Sequence, residues 1–188
     1  IEKTGFATSV YFDAADDYYH RVGYALANNK TTQKSTEATS LNGEENKSLN
    51  SSSAIYTLGR RTLDNRFDPT EGSLFEITEE YSGLGGDVNY LKTKLRSAYY
   101  KPFAFRKFVL GIRGDLGYVD GLGDKVSQSA RFTLGGRRLR GFDSGGIGPR
   151  DSGSGSAVGG NKVYSGSVEV ISNSGLSDDL GIRWTVFS

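Results

Sequence analysis

Apolar and polar residues alternate with a period of two along most of the chain. In residues 90–100, Leu91, Thr93, Leu95, Ser97 and Tyr99 occupy the odd positions, and Lys92, Lys94 and Arg96 the even ones. Side chains two apart share one face of a strand, so the two sets point to opposite sides. Residues 108–118 repeat the pattern, with Phe108, Leu110, Ile112, Leu116 and Tyr118 against Arg113 and Asp115. Tyr164, Val168 and Val170 stand against Ser165, Ser167 and Glu169. Leu180, Ile182, Trp184 and Val186 stand against Arg183 and Thr185. Phe6, Val10 and Phe12, and Val22, Tyr24 and Leu26, give two shorter examples. In residues 73–82, Phe75, Ile77 and Tyr81 oppose Glu76, Thr78 and Glu80, but Glu79 falls on the apolar side. The pattern predicts an all-β, antiparallel protein of about nine or ten strands.

An antiparallel sheet with one wet face shows the same alternation. Three features favour a transmembrane β-barrel. The expected strands run about 9–11 residues, the length of a tilted membrane crossing. The polar face carries charges and glycines, as a water-filled lumen allows, and Tyr99, Tyr100, Phe103, Phe105 and Tyr118 gather near strand ends like an interfacial girdle. No apolar run approaches the roughly 20 residues of a membrane helix, and Ile1-Glu2-Lys3-Thr4 shows no leader pattern. On this reading the chain crosses a membrane as a multi-pass barrel.

Connections alternate in length. Asn28 to Asn50 is long and polar and reads as a surface loop. Asp64–Gly72 is a short turn, and Gly83–Asn89 and Asp120–Val126 are modest ones. Residues 135–161 hold 10 glycines in 27 positions, too long a stretch for a simple turn.

Composition narrows the chemistry. With 23 Lys+Arg against 22 Asp+Glu, the net charge of +1 does not point to nucleic acid. One histidine, His20, and no cysteine leave no thiol nucleophile or zinc site. His20 has no Ser/Asp pairing in sequence, while Asp13, Asp16, Asp17 and the pair Asp178-Asp179 read as solvated turns. The reading assigns no catalytic residue, no metal and no cofactor.

The glycine-rich segment contains Gly135-Gly136, Arg140-Gly141-Phe142 and Ile147-Gly148-Pro149, and restarts at Gly159-Gly160-Asn161. Upstream stand Asp64, Phe67, Pro69 and Gly72 in an Asp-x-x-Phe-x-Pro-x-x-Gly turn, and Gly-Tyr-x-Asp-Gly-Leu-Gly at Gly117–Gly123. In this order the motifs resemble the BamA family of outer-membrane-protein assembly factors, which has mitochondrial and chloroplast relatives. The resemblance spans Gly5 to Ser188. It implies that residues 135–161 fold back into the barrel, and that the chain is part of a barrel of about sixteen strands lacking both seam strands and the periplasmic repeats. It implies no covalent chemistry. Implied partners are outer-membrane lipids and lipopolysaccharide, unfolded outer-membrane clients and accessory assembly lipoproteins. A polypeptide translocator of the two-partner secretion type and a passive porin are the alternatives.

The residues themselves suggest a brace. An arginine inside a barrel is partly desolvated and needs a carboxylate. Glu169 is the one acid of strand 163–171 and shares the phase of Ser165 and Ser167. Arg140 is therefore expected to pair with Glu169, with Gly141 turning the backbone and Phe142 as an apolar plug. The resemblance implies a further Asp one strand later.

Overall fold

The computed structural model describes residues 2–14, 17–30, 48–123, 125–136, 139, 141–153, 155–172 and 184–187. Eight strands run in chain order: β1 (Glu2–Asp13), β2 (Tyr18–Lys30), β3 (Ser48–Arg61), β4 (Gly72–Ser82), β5 (Tyr90–Phe103), β6 (Phe108–Gly121), β7 (Lys162–Ser172) and β8 (Trp184–Phe187). They form one sheet in the order β1 to β8, each strand antiparallel to the next. Among the described residues there are eight strands, where the whole chain was expected to hold nine or ten. Among the described residues, the segment between β6 and β7 contributes isolated bridges, Phe132 with Gly160, Leu134 with Ile147 and Arg150 with Ala157. Residues 173–183, which include Leu180 and Ile182 of the last alternating stretch, lie outside the described residues, as does the Trp184 side chain.

The strands are longer than the alternation suggested. β3, β5 and β6 have 14 residues each, more than the about 9–11 of a tilted crossing, so their ends reach past an apolar bilayer core. β2 continues to Lys30 and β3 starts at Ser48, which pairs with it. This shortens the expected 28–50 loop at both ends; residues 31–47 lie outside the described residues. Connections 62–71 and 104–107 lie at one end of the sheet, and 83–89 and the start of the β6–β7 segment at Leu122 at the other.

Register fixes the faces. Lys92, Lys94, Arg96, Ala98 and Tyr100 of β5 pair with Val119, Gly117, Asp115, Arg113 and Gly111 of β6. Gly111, Arg113, Asp115 and Gly117 pair in turn with Glu169, Ser167, Ser165 and Val163 of β7. These form the inner face. The other parity carries exposed Phe6, Val10, Val22, Leu26, Phe75, Leu91, Ile112, Leu116 and Val168, an apolar surface of the kind a bilayer covers. Glu79 does project among these outward residues, where its Oε2 accepts a 2.8 Å hydrogen bond from the Thr93 hydroxyl.

The inner face has three zones. Toward the long connections, Leu49, Val88, Tyr90, Val119, Val126, Ala130 and Phe132 form one buried cluster. Toward the short turns, Tyr100, Val109 and Ile171 form a second, packed against Leu63 and Ala98. Between them lies a charged belt. Arg96 is 3.6 Å from Glu76 and 3.3 Å from Asp115, and Lys94 is 3.5 Å from Glu80. Arg96 is directly across from both its acids and Lys94 reaches Glu80 diagonally; such cross-strand pairs stabilise the sheet modestly, and here they also keep the middle of the inner face wet.

Candidate functional site: the inner-face segment and the Glu169 cluster

The segment between β6 and β7 is seated on the inner face by residues upstream of its glycine-rich part. A short 3-10 turn, Gln128–Ala130, is capped by Ser127, whose hydroxyl accepts from the Ser129 N–H. This turn delivers Ala130 and Phe132 to the sheet. The Lys92 ammonium donates to the Ala130 carbonyl at 2.6 Å and lies 4.4 Å from the centre of the Phe132 ring. Phe132 is 6% exposed. It fits because the strand position beneath it is Gly117, where a Cβ would come within 2.7 Å of the ring. A cation over an aromatic face, away from bulk water, is attracted by the ring quadrupole. Lys92 therefore ties the segment by a backbone hydrogen bond and by its charge.

Beyond Phe132 the chain forms a ladder of turns. Phe132 and Gly160 exchange two backbone hydrogen bonds of 2.9 Å, and Ile147 N–H donates to Leu134 O at 3.2 Å. Gly136 N–H reaches Phe142 O at 2.8 Å. Gly135 has φ +127°, and any Cβ there would collide with the Asp143 carbonyl. Only glycine satisfies both demands. Gly141, at φ +89°, and Gly148, at φ +117°, have open space around them. The Pro149 carbonyl accepts from Val158 N–H at 2.9 Å. Arg150 holds the outer turn together, donating to the carbonyls of Gly155 at 2.8 Å and of Gly145 and Gly146 at 3.3 Å.

Phe142 is 52% exposed on this open sheet, and the ring packed on the sheet's inner face is that of Phe132, which has a glycine floor to settle on. Arg140 lies outside the described residues.

Glu169 is 5% exposed on the inner face of β7. Its Oε1 lies 2.6 Å from Nη2 of Arg113. The guanidinium N–H groups do not aim at that oxygen, which has no hydrogen-bond donor among the described residues. The contact is one of charge. Arg113 Nε is committed elsewhere, donating to the Tyr100 hydroxyl at 2.6 Å. Gly111 makes room for the group, since a Cβ there would sit 2.8 Å from Glu169 Cγ and 3.0 Å from the Tyr100 ring. The site is thus a buried carboxylate with one cation beside it and an acceptor still open.

The turn from Asp64 to Gly72 is held by its acid. Asp64 Oδ1 accepts the backbone N–H groups of Thr70 at 2.9 Å and Glu71 at 3.0 Å, and Oδ2 accepts the Thr70 hydroxyl at 2.6 Å. These bonds, the Thr70 hydroxyl foremost, lower its pKa from 3.8 to about 2. Gly72 leaves the turn at φ +106° against the Thr62 carbonyl. Pro69 lines a cavity at the short-turn end together with Leu63, Arg96 and Arg113, and Phe67 is 94% exposed. The single histidine is on the outer face, stacked on Phe12 at 5.1 Å with Nδ1 2.8 Å from the Tyr56 hydroxyl.

The Omp85 superfamily domain matches residues 1–188. The chain is 30% identical over 195 residues to the outer membrane protein assembly factor BamA of Neorickettsia risticii, covering 100% of this chain and 25% of that protein. It is 33% identical over 141 residues to BamA of Nitratidesulfovibrio vulgaris, covering 73% of this chain and 17% of that one. The crystal structure of Haemophilus ducreyi BamA lacking POTRA domains 1–3 superposes with a TM-score of 0.77 at 22% identity, over 98% of this chain and 40% of that one. The chain therefore spans about a quarter or less of the length of these curated relatives. Sheet order, outward apolar face and family match agree: the chain belongs to the Omp85 superfamily and forms part of its β-barrel in the outer membrane.

Proposed function

We propose that the protein containing this chain is an outer-membrane assembly factor, which folds β-barrel proteins and inserts them into the outer membrane. The observation that carries the reading is the match of the whole chain to relatives named as such factors. The order of the motifs along the chain supports it, the Asp64 turn preceding Gly117–Gly123 and then Arg140-Gly141-Phe142. In this reading the protein performs no covalent chemistry. Its clients are unfolded outer-membrane proteins, its neighbours lipopolysaccharide and accessory lipoproteins, and the segment 135–161 braces the barrel from inside. The test is reconstitution of the full-length protein in liposomes with an unfolded porin. Faster acquisition of heat-resistant gel mobility than in empty liposomes supports the reading, and equal rates contradict it.

The brace is proposed to run from Arg140 to Glu169. What supports it is the open acceptor on a buried carboxylate. A second guanidinium offers planar paired donors that Arg113, already bound to Tyr100, does not aim there. Arg140→Ala should loosen the segment and Arg140→Lys should restore it only in part, as read by protease sensitivity of residues 125–160. Unchanged sensitivity in Arg140→Ala overturns the brace.

A further inference from the structure

We propose that the β5–β6 hairpin is a docking element for anionic phospholipid headgroups in the leaflet at the short-turn end. The hairpin reads Lys101-Pro102-Phe103-Ala104-Phe105-Arg106-Lys107-Phe108, three cations and three phenylalanines with no acid.

Three observations converge on it. The first is the tip. Ala104, Phe105 and Arg106 all have left-handed backbone, φ +48°, +58° and +63°. Residues with a Cβ adopt that region at a cost, and three in succession are rare. The conformation holds Phe105 fully in the open, 99% exposed, while Phe103 and Phe108 stack at 5.7 Å on the outward face just below.

The second is charge. Lys101 is on the outward parity of β5, between Tyr99 and Phe103 and opposite Leu110. A lysine in a lipid-facing row runs its stem along apolar surface and carries its ammonium to the headgroups. Among the described residues, neither Lys101 nor Lys107 has a carboxylate partner. Arg106 is held by Glu71 of the neighbouring turn, Nη2 to Oε2 at 2.8 Å, which fixes the hairpin beside the Asp64 turn.

The third is the combination. Exposed aromatic rings beside unpaired cations at a barrel rim fit the acyl–headgroup boundary and its phosphates. A soluble protein partner needs no lysine on the lipid-facing row, whereas a phosphate at the membrane surface accounts for it.

The test uses the full-length protein in nanodiscs of phosphatidylethanolamine, alone or with phosphatidylglycerol. The wild type should melt several degrees higher when phosphatidylglycerol is present, and added salt should shrink the gain. Lys101→Gln with Lys107→Gln should lose at least half of it and melt unchanged in phosphatidylethanolamine alone. Phe105→Asn suits the left-handed backbone, so the hairpin keeps its shape without the ring; it too should reduce the gain. The proposal is overturned if the variants keep the whole gain, or if Lys162→Gln at the opposite end removes it equally. It is also overturned if the variants lose only the binding of a soluble protein.

Discussion

The ring of Phe132 rests on Gly117, with the Lys92 ammonium 4.4 Å from the ring centre. One strand position without a side chain thus seats a segment of the chain against the inner face.

Gly117→Val should unseat that segment. The new side chain would meet the Phe132 ring and the Val163 methyl at under 3 Å, and overpacking of this kind costs about 1–3 kcal/mol. Limited proteolysis of the full-length protein should cut within residues 125–160 much faster than in the wild type. Phe132→Ala should have the same effect at a cost of about 3 kcal/mol or more.

Arg113→Ala should destabilise more than Glu169→Gln. Removing Arg113 takes away the cation that touches Glu169, a carboxylate of 5% exposure, and breaking a buried ion pair costs up to about 3–5 kcal/mol, less the share that the proposed Arg140 contact retains. Removing the acid leaves an arginine that is 45% exposed and able to hydrate. Thermal unfolding of the two variants and the double variant, read by heat-modifiable gel mobility, should show coupling.

Ile112→Arg places a charge on the outward face, near the middle of β6. It should cost roughly 2–4 kcal/mol if that position is at the bilayer midplane. Leu110 is less informative, since it pairs with Lys101 close to the strand end. Chemical unfolding in liposomes measures the loss.

The Asp64 turn should loosen in acid. The folded pKa of Asp64 is about 2, below its ordinary 3.8, so its contribution is complete above about pH 4 and fades as pH falls toward 2. Protection of residues 62–71 in hydrogen exchange, taken relative to the intrinsic rate at each pH, should fall through that window, and Asp64→Asn should weaken this fall.

Much of this architecture was legible in the sequence. The alternation of Leu91 with Lys92, and of Ile112 with Arg113, gave the two faces, because burial on one side writes itself into a period of two. It even isolated Glu79 as an acid on the outward side. The Asp64 motif located a turn because one carboxylate there satisfies three donors of its own loop, a local requirement. The partner of Glu169 was harder. Arg113 was visible as an inner-face cation, yet its contact depends on the register of β6 with β7, which joins residues 56 positions apart. The anchoring residue of the inner-face segment was missed too. Glycines drew attention to residues 135–161, whereas the seat is Phe132, and the available signal was the apolar set Val126, Ala130 and Phe132 in an otherwise polar stretch.

The most direct measurement is a single-cysteine scan of β6 in the full-length protein in native outer membranes, using a water-soluble maleimide. This chain has no cysteine of its own. Cysteines at Leu110, Ile112 and Leu116 should stay unmodified against lipid, those at Arg113 and Asp115 should react in the wet belt, and one at Val119 should be shielded by the Phe132 cluster. Uniform reactivity along β6 would contradict the membrane-facing surface, and a cysteine at Val119 reacting as fast as one at Asp115 would contradict the inner-face seat of the segment.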